Sequence, residues 1–139
     1  MTQQQAGERP IILGPGEGRS YTCGPMQAVF KADGDETGGR YAVSEWWVEP
    51  GRVGAGPHSH DANEELFYVL HGTMTFQVGD DVVDARAGSF LRIPAGVVHG
   101  FSNRTAQRAG VLNVFVPGGF ESRMPDIVAW FDAHPEGEQ

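Results

Sequence analysis

His58 and His60 stand two residues apart, and Glu65 follows five positions after the second of them. On an extended chain, side chains two apart point to the same face, so both imidazoles aim at one point. Glu65 opens a run over 65–70 that is rich in strand formers, and it shares alternate positions with Phe67 and Val69. A carboxylate on the apolar face of a buried strand is costly unless something pairs with it, and a metal cation would do so. The third histidine, His99, lies in the segment 88–103, where Pro94 and Gly96 mark a turn between two strands. His99 shares a face with Val97 and Phe101 and therefore also points inward. Three imidazoles and one carboxylate suit one first-row divalent metal ion. On a six-coordinate ion they leave two positions for water, dioxygen or a substrate oxygen. Only neutral histidine ligates, so binding weakens as the pH drops below about 6.5.

The elements that must position these residues read as strands. With 139 residues the chain fits one domain, and its 20 glycines and 9 prolines suit an all-β domain with many tight turns. Short apolar runs at 11–13 and 26–30 read as first, irregular strands, and 33–39 is a loop by composition. Strands are expected at 41–48, 65–70, 73–78, 82–83, 90–93, 97–101 and 111–116, with Gly/Pro or Gly/Asp turns between them. This spacing indicates a sandwich or barrel. Pro125 suits a first helical position, and Met124, Ile127, Val128 and Phe131 recur at helical steps, so 125–133 is one short helix packed on the barrel's outside. Residues 1–10 read as a flexible tail, 11–134 as a single domain, and 135–139 as a polar end.

The formal charge is −8 with a single lysine, Lys31, which argues against a nucleic-acid or anionic-membrane partner. Lone Cys23 cannot close an intramolecular disulfide, and a reducing cytoplasm fits it best. No apolar run approaches a bilayer span, and no signal peptide is visible.

Over 41–117 the chain resembles the small single-domain cupins. His58-Ser59-His60, four residues, Glu65, six residues, Gly72 is similar to the first cupin motif, with Arg52 where the motif opens on glycine and Gly51 one position earlier. The second motif is matched at Gly88, Pro94, Gly96, His99 and Asn103. The resemblance implies a jelly-roll barrel holding one metal through His58, His60, Glu65 and His99, with the motif glycines, Pro94 and Asn103 as turn and packing residues. The alternative is a metal-free cupin whose inward polar residues hydrogen-bond to one another. A homodimer is implied by resemblance alone.

Around the site, alternation places Glu45 and Trp47 inward with Tyr41 and Val43. Trp47 is then core or pocket lining, and Glu45 a candidate acid or base. Met74, Phe76, Phe101 and Phe115 fill the barrel and line the substrate pocket. Glu64, His71, Arg92 and His134 read as surface or turn residues. Gly38-Gly39 before the 41–48 strand and Pro57 to His60 after it look like quercetin-dioxygenase-type cupins. That resemblance implies Fe, Mn, Ni or Co binding an enolate or catecholate with dioxygen, with Glu65 as both ligand and proton acceptor. A redox-neutral isomerase or polyketide cyclase, for which Zn suffices, and a non-catalytic small-ligand binder are the other readings of the same ligand set.

Overall fold

The computed structural model describes residues 6–135. Residues 1–5 of the expected tail and 136–139 of the polar end lie outside the described residues. The chain forms strands β1 (Arg19–Cys23), β2 (Met26–Ala32), β3 (Ala42–Val48), β4 (Glu64–His71), β5 (Thr73–Val78), β6 (Asp81–Arg86), β7 (Phe90–Ile93), β8 (His99–Ser102) and β9 (Ala109–Val116). Helix α1 (Met124–Ala133) follows a short 3₁₀ turn at Glu121–Arg123. One sheet has the order β1-β2-β3-β9-β4-β7, and the other has the order β6-β5-β8. Every pairing is antiparallel. The two sheets enclose a jelly-roll barrel, as expected.

Two facing layers of side chains form the core. Phe67, Phe76 and Phe101 meet with ring centroids 5.1 to 5.9 Å apart, and Met74 and Ile93 are buried with them. Gly72 makes the turn from β4 to β5 at φ 69°, and a Cβ there would lie 2.7 Å from the Arg108 carbonyl. The second motif's Asn103 is a packing residue in this fold. Its amide donates to the carbonyls of Val48 and Gln107, and its oxygen accepts from the Thr105 N–H and hydroxyl.

The run at 11–13 is not a strand; it lies against the surface with Ile12 91% exposed. Pro10 and Pro15 flank it and remove ladder donors. The free edge of β2 is taken instead by β1, through the tight turn at Gly24-Pro25. Part of the expected tail is also docked, since a 3₁₀ turn at Ala6–Glu8 packs beside the one at Gly34–Thr37. The strand expected at 97–101 begins only at His99.

The larger correction concerns β3. Its inward face carries Ala42, Ser44, Trp46 and Val48, and its outward face carries Val43, Glu45 and Trp47. Both faces hold enough apolar residues to mislead a reading of β3 alone. The neighbouring strand resolves it, because β2 alternates Met26, Ala28 and Phe30 with Gln27 and Lys31. In register, Gln27 pairs with Trp47 and Val29 with Glu45. Outside the sheet, Glu45 accepts from the Trp47 indole at 3.1 Å and lies 3.8 Å from Lys31. Trp47 lies across Gly110, where any Cβ would strike its ring, with the Arg108 guanidinium 4.8 Å above the indole.

Helix α1 is fixed at its root by a buried carboxylate. Asp33 is 6% exposed; Oδ1 accepts from the Gly34 and Gly119 N–H groups at 2.7 Å, and Oδ2 accepts from Glu121 N–H at 2.6 Å. Arg19 and the Tyr21 hydroxyl hold the Glu121 carboxylate at 2.8 and 2.7 Å. The far end of the helix sits on Gly24, where Phe131 leaves no space for a Cβ. Asp33→Ala removes a charged acceptor from several buried donors and is expected to lower unfolding free energy by about 2–4 kcal/mol. Urea denaturation reads this as a lower midpoint at unchanged slope; a change under about 0.5 kcal/mol would show the clamp to be dispensable.

Candidate metal centre

The loop before β4 is held as firmly as a strand. His58 and His99 form an antiparallel bridge, with N–H···O distances of 2.9 and 2.8 Å. Gly54 and Ala55 pair with Phe101, and Gly96 N–H donates to the His60 carbonyl at 2.8 Å. The second edge of β8 thereby carries His58 and His60, while β4 supplies Glu65 and β8 itself supplies His99. One ligand-grade atom from each of these four residues lies within 4.8 Å of the others.

Hydrogen bonds select the tautomers. His58 Nδ1 lies 2.7 Å from the Gly56 carbonyl, and His99 Nδ1 lies 2.9 Å from the Val97 carbonyl. A carbonyl only accepts, so each Nδ1 bears the proton in the neutral ring and each Nε2 keeps a lone pair for ligation. His60 Nε2 is fully buried with no hydrogen-bond partner among the described residues. It lies 3.4 Å from Glu65 Oε2, too far for a good hydrogen bond. His99 Nε2 contacts the same Oε2.

The electrostatics follow from this crowding. Burial alone would raise the Glu65 carboxyl, but the His60 and His99 rings more than reverse that and hold it at about 2. Burial works against a charged His99, yet the Glu65 carboxylate raises its pKa overall. His58 is lowered, chiefly by burial.

A metal-free barrel satisfies this group only in part. The His99–Glu65 pair forms, but His60 Nε2 stays buried and unpaired, at a cost of about 1–3 kcal/mol. Donors bound about 2 Å from one cation can be no more than about 4.2 Å apart, so the group needs only small side-chain shifts to close on an ion. The residues fit a divalent metal.

The centre opens into a cavity of about 690 Å³. Its walls are mostly apolar, and Trp46, Phe67, Phe101, Phe120 and Trp130 supply aromatic faces. Helix α1 does not simply pack on the barrel's outside: Asp126, Ile127 and Trp130 form part of the cavity wall. Phe120 joins that roof to the centre, with its ring 5.1 Å from Phe115 and 6.4 Å from His60. The Arg123 guanidinium lies over both phenyl rings, 5.8 Å from Phe115 and 5.4 Å from Phe120.

Of the expected pocket residues, Phe101 lines the cavity. Met74 and Phe76 are wholly buried in the core, and Phe115 is buried beneath His60, 5.0 Å from its ring. Glu45 and Trp47 are on the outer face and cannot reach the cavity, so Glu45 is no acid or base for it. Glu64 pairs with Arg92 at the surface, His71 lies beside Trp47, and exposed His134 stacks on Trp130. Asn113 was missed. It is 5% exposed, lines the cavity and donates Nδ2–H to Glu65 Oε1 at 3.1 Å. A polar residue alternating with Val111 and Phe115 on an apolar face is the same signal that singles out Glu65. Trp46 was hidden by the misread parity of β3. Phe120 and Arg123 carry no such signal, because a loop's path is not periodic.

Barrel and donor set together define a metal-binding cupin, and residues 44–115 match the cupin domain family. The chain belongs to that family. It is 30% identical over 122 residues to quercetin 2,3-dioxygenase of Bacillus subtilis (strain 168), covering 87% of this chain and 35% of the dioxygenase. The chain therefore spans about a third of that relative's length. Among solved structures, a sugar phosphate isomerase from a cupin superfamily of Silicibacter pomeroyi is 25% identical, with TM-score 0.59 over 66% of this chain and 59% of its own. A Bacillus subtilis oxalate decarboxylase mutant superposes with TM-score 0.66 over 75% of this chain and 28% of its own, at 20% identity, and shares the fold.

His60→Ala and His99→Ala are each expected to lower bound metal by about tenfold or more in elemental analysis of the purified protein. Full occupancy in both would remove these residues from the site. Lowering the pH protonates the ring nitrogens that must ligate. His99, raised by Glu65, takes its proton at a higher pH than an ordinary histidine. Metal retained after dialysis should therefore be complete above neutrality and fall as the pH drops through the histidine range; retention unchanged down to about pH 4 would contradict histidine ligation.

Proposed function

We propose that the protein is a metal-dependent dioxygenase acting on a small enol or phenolic molecule, with His58, His60, Glu65 and His99 as the ligands. The observation that carries the metal reading is the buried, unpartnered Nε2 of His60 beside three other converging donors. The dioxygenase reading is supported by the quercetin 2,3-dioxygenase similarity, which runs across most of this chain, and by an aromatic cavity suited to a flat organic molecule.

One Fe, Mn, Ni, Co or Zn ion would supply Lewis acidity toward an enolate or phenolate oxygen and, for a redox-active ion, an electronic path to dioxygen. The chain's own residues do the rest. Trp46, Phe67, Phe101, Phe120 and Trp130 bind a planar ring and exclude water from the reacting end. Glu65 is ionised throughout the physiological range and serves first as ligand. Oε1 accepts from Asn113, so Oε2, which faces the His60 and His99 rings, is the oxygen that would take a substrate hydroxyl proton.

A redox-neutral isomerase is the second reading, supported by the similarity to the sugar phosphate isomerase. Oxygen uptake separates the two. Protein reloaded with Fe, Ni, Co or Zn is offered flavonols and other enediols in an oxygen electrode. Uptake with redox-active ions only is the expected result. Turnover with zinc and no uptake would establish the isomerase class instead, and no turnover with any ion would leave a small-ligand binder.

A further inference from the structure

Asn113 has a polarity that its surroundings fix. An amide presents two donors on one side and an acceptor on the other, and which way it points follows from its partners. Glu65 is an ionised carboxylate and can only accept, so the Asn113 NH₂ must face Oε1, where Nδ2 lies at 3.1 Å. The amide oxygen then points away from Glu65. It takes no hydrogen bond among the described residues, yet it is not among the fully buried polar atoms left unpaired, where His60 Nε2 stands alone. The side chain lines the cavity, and with Nδ2 turned to Glu65 the oxygen is the amide's acceptor left to meet a ligand there, beside the Glu65 carboxylate.

We infer that Asn113 is a substrate-binding residue whose amide oxygen accepts a hydrogen bond from a substrate O–H next to the metal-bound oxygen, so that the site selects vicinal enediols and catechols over their O-alkylated counterparts. This rests on the metal-site reading above and narrows the substrate class within it. Burial gives the contact its weight. An acceptor in a mostly apolar cavity loses its water partners when a flat ligand enters, and a ligand without a donor leaves it unsatisfied. The discrimination therefore falls on ligands that fit the cavity but lack the hydroxyl. The backbone supports this placement: Asn113 is central in β9, paired on one side with Ser44 and on the other with Phe67.

The test uses zinc-loaded protein, so that binding is read without oxidation, and two small probes, catechol and 2-methoxyphenol. Either can place one phenolate oxygen on the metal, but only catechol keeps a second hydroxyl to donate. Binding is followed by quenching of tryptophan fluorescence, since Trp46 and Trp130 line the cavity. The quantity of interest is the ratio of the two dissociation constants, compared between wild type and two variants. Asn113→Leu removes the amide. Asn113→Thr keeps a hydroxyl donor for Glu65 but withdraws the amide oxygen from the cavity, and it decides the matter if the leucine variant loses metal. Zinc content is measured in each. The wild-type preference for catechol is expected to fall about five- to tenfold in the variants that hold zinc, the loss of one hydrogen bond to a desolvated acceptor. If catechol's advantage comes only from chelating the metal through both oxygens, the ratio stays the same in every protein and the inference fails. It also fails if wild type shows no preference. Neither result depends on oxygen uptake, so the dioxygenase reading stands or falls separately.

Discussion

The structure is organised around one carboxylate that the barrel cannot leave unpaired. Glu65 is 6% exposed on the inner face of β4, paired across the sheet with Ile93 on one side and Phe115 on the other. Taking a charge out of water costs several kcal/mol unless partners repay it. Here the repayment comes from hydrogen bonds of His99 on β8 and Asn113 on β9, and from the His60 ring, which the loop brings to 3.4 Å without a hydrogen bond. Each can reach Glu65 only if the sheets are in their observed registers. A one-residue slip of β4 would turn Glu65 to solvent and Glu64 inward, so the group that enables the chemistry also opposes alternative strand pairings.

The rigidity of the histidine loop has the same origin. A stretch with Gly54, Gly56 and Pro57 would ordinarily be mobile. It is held because its backbone completes the open edge of β8, and the His58–His99 bridge is the last step of that pairing. The imidazoles are therefore presented from a surrogate strand, with ring orientation set by the Gly56 and Val97 carbonyls. Pre-set ligands lose little conformational freedom when an ion arrives.

How much of this was legible in the sequence depends on whether a feature is local. The convergence of four donors was, because His58 and His60 share parity and Glu65 and His99 each interrupt an apolar face. The helix was, because Pro125 and the spacing of Ile127, Val128 and Phe131 carry a helical period. What the helix covers was not, since that depends on Asp33 gripping Glu121 across 88 positions of chain. The parity of β3 was misread for a related reason. Its two faces are nearly equal in apolar content, and only pairing with β2, where Gln27 and Lys31 face outward, decides between them. Asn113 could have been found by the rule applied to Glu65, a polar residue between Val111 and Phe115 on a buried face.

The cavity that results has two unlike ends, and the difference shapes what it can do. Toward α1 it is lined by aromatic planes, Trp130 from the helix and Trp46 and Phe101 from the barrel. These favour flat apolar surface in more than one orientation, since aromatic rings pair well both offset-stacked and edge-to-face. Toward β4 and β9 the groups are few and directional: the four converging donors, and one amide with an N–H already given to Glu65. The apolar end therefore provides affinity and the polar end provides orientation. Because the Asn113 amide is held by the carboxylate of the same four-residue donor group, a shift in Glu65 would move the candidate cation site and the amide oxygen together, coupling where a substrate would bind to how it would be held.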